Sequence, residues 1–195
     1  MAFSGWQGDF VGFFRGLEMD NSRSYFERHR ARYERDVRGP MAALVEELEP
    51  LLGAGKIFRL NRDIRFSADK SPYKTNIGAT AGPLYIHLDA RMLFLGTGNY
   101  HPQRDWLASF RQAVAGPAGE EFARIVEAAR VSGLDCGVDG AALKTVPRGY
   151  PADHPRIDFL RWRNVVAGRQ FEIEPWIATP AAKDRILETW ECMRP

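Results

Sequence analysis

Leu84-Tyr85-Ile86-His87-Leu88-Asp89 alternates apolar and polar side chains with a period of two. That is the pattern of a strand with one face buried. Asp89-Ala90-Arg91 follows as turn chemistry and leads into an apolar run from Met92 to Gly96, so a β-hairpin is predicted. Upstream, Ile57 to Leu60, Ile64 to Phe66 and Ile77 to Thr80 read as further short strands. Downstream, Gly96-Thr97-Gly98-Asn99-Tyr100-His101-Pro102 reads as a loop whose glycines permit close backbone approach.

On either side of this strand-rich centre the period changes to that of helices. Phe10, Phe13, Phe14 and Leu17 share one helical face, with Asp9 placed to cap it. Asp20-Asn21-Ser22 offers caps for a second helix with the stripe Tyr25, Phe26, His29, Tyr33 and Val37, which Gly39-Pro40 is expected to end. Pro40 suits the first turn of a third helix that turns Leu44, Val45, Leu48 and Leu51 inward. After the strands, Trp106, Leu107, Phe110 and Val114 and then Phe122, Ile125, Val126 and Ala129 mark two more helices. Gly133 to Gly140 is a connection. Asp153 is placed to cap a short helix containing Ile157 and Leu160. Val165-Val166 and Phe171 to Ile173 read as edge strands, and Thr179-Pro180 opens a last helix through Ile186, Leu187 and Trp190. Helices, then strands, then helices predict an α+β fold with a central, mainly antiparallel sheet.

The chain has 195 residues, enough for one domain with a substantial core, and residues 1–195 are expected to form one. Hydrophobic content of 45% and charged content of 27% are those of an ordinary soluble protein. The start carries no basic stretch followed by an apolar one, and no apolar run approaches the ~20 residues needed to span a bilayer. A cytoplasmic protein without membrane contact is the expectation. Cys136 and Cys192 belong to no metal or disulfide spacing, so no metal is expected. No cofactor is expected either. Gly53-Ala54-Gly55-Lys56 fails as a phosphate loop, because Pro50 stands where the first glycine should be and Ile57 follows the lysine; the dinucleotide fingerprint is absent.

Charge is small in sum, 27 basic against 25 acidic side chains, and uneven in distribution. From Lys56 to Thr75 there are six basic residues against Asp63 and Asp69; from Ala141 to Arg169 there are six against Asp153 and Asp158. Two basic segments on an otherwise acidic chain could converge on one anion, or they could be two solvated faces. The first contains Arg62-Asp63-Ile64-Arg65-Phe66-Ser67-Ala68-Asp69-Lys70-Ser71-Pro72-Tyr73-Lys74-Thr75, too polar for core. The second contains Leu143 to Pro155, where three prolines and a glycine hold the polar side chains in place.

These stretches resemble the domain of unknown function 2461 family, an uncharacterised and mainly bacterial family. The resemblance rests on Asn21 with Tyr25-Phe26, on Arg62 through Thr75, on Gly96 through Pro102, and on Pro147 through Pro155. It spans nearly the whole chain. Asp20 and Tyr25 stand where the family often has Asn and Trp. The family implies no reaction, so function must be argued from the residues.

Arg62, Arg65, Lys70 and Lys74 suit phosphate or carboxylate, arginine as a planar fork and lysine as a point charge. Asp63, Ser67, Asp69 and Tyr73 would complete the first half of an anion site, and Lys144, Arg148 and Tyr150 the second. On a strand, Asp63 and Arg65 would share one face and form a pair. Asp153-His154 is the one carboxylate-adjacent imidazole and the candidate acid–base couple. Three functions stay open: binding of an anionic small molecule; a hydrolase or transferase on such a molecule, with Asp153 and His154 moving protons; and a structural or interaction module in which the motifs are internal polar staples. Nucleic acid is not expected as a partner, given the near-neutral charge and the lack of an aromatic platform in a basic groove.

Overall fold

In a computed structural model, which describes residues 2–65, 68–137 and 142–194, Leu84–Asp89 is a strand whose residues alternate between buried and half-buried. Leu84, Ile86 and Leu88 are fully buried, and Asp89 turns the hairpin by accepting the backbone N–H groups of Arg91 and Met92. With β1 Gly55–Ile57, β2 Asn76–Ala81, β3 Leu84–Asp89, β4 Met92–Asn99, β5 Asp135–Cys136 and β6 Val165–Glu172, the described strands order as β1-β2-β3-β4-β6-β5. The β1–β2, β2–β3 and β5–β6 pairs are antiparallel: Lys56 faces Thr80, Gly78 faces His87, Asn76 faces Asp89, and Cys136 faces Ala167. The fold is α+β, with helices before the sheet and again in the C-terminal half.

The chain divides into two compact units, residues 1–95 with 170–190, and residues 96–169 with 191–195. In the first unit, α1 (Phe10–Met19) begins where the Asp9 carboxylate accepts the Gly12 N–H at 2.8 Å, and α2 (Arg23–Arg32) where the Ser22 hydroxyl accepts the Tyr25 N–H at 3.1 Å. Each side chain satisfies a donor that the first helical turn leaves free. Phe13, Phe14 and Leu17 are completely buried. Helix α3 (Gly39–Leu52) packs on β1 and β2, and α1 on β3, so the helices cover the odd-numbered face of β2, where Ile77, Ala79 and Ala81 are buried. The last helix, α7 (Ala181–Met193), ties to α3 through Lys183, whose ammonium donates to Glu47 at 2.5 Å.

Several expectations are corrected. Gly39-Pro40 does not end the second helix: the chain continues through a π turn, Tyr33–Arg38, directly into α3. The Gly39 N–H reaches back five residues to the Glu34 carbonyl. This wider turn lets Pro40, which has no N–H to donate, follow without a break. Leu51 is 63% exposed, and Met41 is buried instead; the stripe Met41, Leu44, Val45, Leu48 has already turned past Leu51. Ile64 lies outside any strand, and Phe66 is outside the described residues.

In the second unit, α4 (Arg104–Ala115) packs on α5 (Ala118–Val131) and on α6 (Ile157–Leu160). The glycine-containing stretch expected to be loop from Gly96 is the end of β4, and Gly98 has φ of +115° where it passes the Val165 carbonyl. Only glycine accepts that conformation at such close approach. The two expected edge strands are one strand, β6, which lies between β4 and β5. The expected connection from Gly133 contains β5.

Candidate functional site

Residues 61–65 and 68–75 belong to a segment closed at its base by backbone pairing. Asn61 bridges Tyr73, the Arg62 N–H donates to the Pro72 carbonyl at 2.9 Å, and the Lys74 N–H to the Leu60 carbonyl at 2.8 Å. From outside, Asn21 grips the same point: its Oδ1 accepts the Tyr73 N–H and its Nδ2 donates to the Tyr73 carbonyl. The Tyr73 ring is buried and stacks on Phe26 at 4.7 Å. The base of the loop is therefore part of the core, while its tip is solvated. Ser67 lies outside the described residues.

Within the loop each arginine has a carboxylate. Arg62 pairs with Asp69. Arg65 forks onto Asp63, Nε at 2.9 Å and a terminal nitrogen at 2.7 Å, across a bend and not along a strand face as expected. Both pairs are exposed, Arg65 by 76% and Asp63 by 45%, so they are surface pairs of the kind that adds little to stability. Hydrogen bonds from the Ser71 hydroxyl and N–H, then from Arg62, hold the Asp69 carboxyl down at about 2. Hydrogen bonds from Arg65 likewise lower Asp63.

The lysines differ. Lys70 Nζ donates to the Ile64 carbonyl at 3.0 Å and Lys74 Nζ to the Arg59 carbonyl at 3.1 Å. Among the described residues neither meets a carboxylate within ion-pair distance. Both ammonium groups donate to neutral oxygens, and among the described residues their charge is not paired with a carboxylate.

The second candidate segment lies in the other unit and is a run of turns: Tyr150 N–H to the Pro147 carbonyl, His154 N–H to Pro151, Ile157 N–H to His154. Lys144, Arg148 and Asp153 are exposed, and Tyr150 and His154 are half-buried. Asp153 does not cap α6. Arg156 occupies the cap position, and its N–H donates to His154 Nδ1 at 3.0 Å. One ring nitrogen of the candidate acid–base imidazole is thus engaged by backbone.

Residues not singled out from sequence carry much of the polar organisation. Arg156 donates to the carbonyls of Val114, Ala115 and Gly116, closing the end of α4. Arg111 donates to the Leu160 and Trp162 carbonyls, and burial pushes its guanidinium down. On β3, His87 Nε2 lies 3.0 Å from Asp89 and its Nδ1 3.2 Å from the Asn76 amide. Burial opposes ionisation of Asp89, but bonds from His87, Arg91 and Met92 outweigh it and keep that carboxyl below its ordinary value. Asn76 and His87 lie 11 residues apart in the chain, and the β2–β3 register, which sets Asn76 opposite Asp89 and Gly78 opposite His87, brings them together on one face.

Two cavities are lined by other residues. One, of about 690 Å³ in the first unit, lies along the N-terminal segment and the start of α3, with Arg35 and Asp36 at its wall. Asp36 is buried and takes two bonds from Arg35, which lower its carboxyl. The other, of about 410 Å³ in the second unit, is apolar and includes Cys136, Cys192 and Trp162. Both thiols are free, and burial pushes Cys136 up. No described helix is long and apolar enough to cross a membrane.

Residues 9–195 match the family described as conserved hypothetical protein DUF2461, and the chain belongs to that family. No curated protein and no solved structure matches it.

Proposed function

We propose that this protein binds an anionic small molecule, bearing phosphate or carboxylate, on the loop from Arg62 to Thr75. The observation that carries the reading is the contrast inside the loop: Arg62 and Arg65 are matched by Asp69 and Asp63, while Lys70 and Lys74 donate to backbone carbonyls. A ligand oxygen that reaches these ammonium groups would replace a neutral acceptor by a charged one, and such bonds are roughly twice as strong. The backbone closure and the Asn21 grip hold the positions before the ligand arrives, which cuts the ordering cost of binding. Lys144 and Arg148 are exposed and Tyr150 half-buried; their contribution is tested by the same titrations in Lys144→Ala and Arg148→Ala.

The Asn21–Tyr73 contact also favours a second reading, in which the motif is a structural staple. Titration calorimetry with inorganic phosphate, sulfate and short carboxylic acids separates the two. Binding that disappears in Lys70→Ala and Lys74→Ala, with melting temperatures unchanged, is expected. Absence of binding by the native protein, together with lowered melting temperatures in both variants, would leave the staple.

A further inference from the structure

The sheet in the first unit has a second face, opposite the helices. Because Lys56 faces Thr80 and Gly78 faces His87, the even-numbered residues of β2 share that face with Lys56, Tyr85 and His87. The Phe58 N–H continues the ladder to the Gly78 carbonyl at 2.8 Å, so Phe58 belongs to it as well. Phe58, Tyr85 and Phe94 form a row there, with ring centroids 6.2 and 6.5 Å apart, and all three are partly exposed. Gly78 lies beneath the row: a side-chain carbon there would stand 3.1 Å from the Tyr85 hydroxyl and 3.3 Å from Phe58.

The basic loop leaves and rejoins the sheet at this row. From Phe58 the chain passes through Arg59 and Leu60 to the loop base at Asn61 and Tyr73, and it rejoins the sheet at Asn76. The Lys74 ammonium sits on the carbonyl of Arg59, the residue after Phe58, and Lys56 precedes Phe58 by two on the same face. Lys56, Arg59, Lys70 and Lys74 have no carboxylate at ion-pair distance among the described residues. The acidic group on this face, Asp89, is already engaged by His87 and two backbone N–H groups. A π-rich row is thus followed directly in the chain by Arg59, on whose carbonyl the Lys74 ammonium sits, and among the described residues neither cation meets a carboxylate at ion-pair distance.

We propose that the ligand of the loop is an aromatic anion, with its phosphate or carboxylate on Lys70 and Lys74 and its ring against Phe58, Tyr85 and Phe94. This rests on the anion-binding reading above. Aromatic side chains take a planar ring by offset or edge contact, and the neighbouring ammonium groups take its charge.

The test compares phenyl phosphate, glycerol phosphate and inorganic phosphate by calorimetry on the full chain. Phenyl phosphate is expected to bind about ten-fold tighter than the other two. That preference is expected to vanish in Phe94→Leu and in Phe58→Leu while inorganic phosphate binds both as it binds the native protein, which also shows that the variants are folded. Equal affinity for all three compounds would overturn the aromatic proposal and leave the loop reading standing. No binding of any of them would overturn both. Phenyl phosphate binding that persists unchanged in the Lys70→Ala, Lys74→Ala double variant would overturn the placement of the anion.

Discussion

Asn21 and Tyr73, 52 residues apart, are bound to each other twice: Asn21 Oδ1 accepts the Tyr73 N–H at 2.9 Å, and Asn21 Nδ2 donates to the Tyr73 carbonyl at 3.1 Å. A primary amide carries a donor and an acceptor on separate atoms, so it can meet both groups of a single residue's backbone at once. The contact fastens the start of α2 to the base of the basic loop and lets Phe26 stack on Tyr73.

Asn21→Ala should therefore destabilise by about 1–3 kcal/mol, because a part-buried N–H and carbonyl lose their partners. Urea unfolding measures this, and amide exchange at Tyr73 and Lys74 should quicken. A change within error in both would show that the loop base holds without Asn21.

Arg156 closes α4 with three carbonyl bonds. Arg156→Ala is expected to cost about 1.5–3 kcal/mol. Arg156→Lys should recover less than half of that, since an ammonium lacks the planar fork that spans neighbouring carbonyls. Full recovery by lysine would mean that charge at the helix end matters and geometry does not.

Acid should weaken the basic loop in a defined window. The Asp69 carboxyl is held at about 2, below its ordinary 3.8. A folded value below the unfolded one contributes stability above the unfolded value, and that contribution is lost as pH falls through the folded one. The loss belongs between about pH 4 and pH 2, and Asp36, Asp63 and Asp89 are shifted in the same direction. Melting temperature against pH should fall less steeply there for Ser71→Ala than for the native protein. Parallel curves would remove Ser71 as the cause.

Leu48 and Leu51 should separate sharply. Leu48 is fully buried, and Leu48→Ala should cost about 2–5 kcal/mol. Leu51 is 63% exposed, so Leu51→Lys should stay within about 0.5 kcal/mol. Denaturant midpoints of the two variants check both.

Local pattern was enough wherever one face of an element meets the core. The alternation from Leu84 to Asp89 specified β3 and its turn, and Asp9 and the run Asp20-Asn21-Ser22 marked the starts of α1 and α2, where Asp9 and Ser22 are the caps. It misled at Gly39-Pro40, because proline ends a regular α-helix but can follow a π turn, and nothing local announces that turn. It misled at Leu51 by one residue, because a helix turning 3.6 residues per turn drifts off any whole-number stripe. Asp63 and Arg65 were found as a pair on the wrong scaffold: two residues of separation allow a contact across a bend as well as along a strand.

By itself, then, the sequence determined the α+β class, the positions of most elements and the existence of a basic segment from Arg62 to Thr75, since each follows from short-range periodicity or composition. Which cations in that loop are already matched was decided by the tertiary structure, because Arg62 with Asp69 and Lys74 with the Arg59 carbonyl depend on how the loop closes. The same holds for the row of Phe58, Tyr85 and Phe94 beside it. Strand register aligns residues that lie far apart along the chain, and a change of one residue in register would turn every one of those side chains to the opposite face.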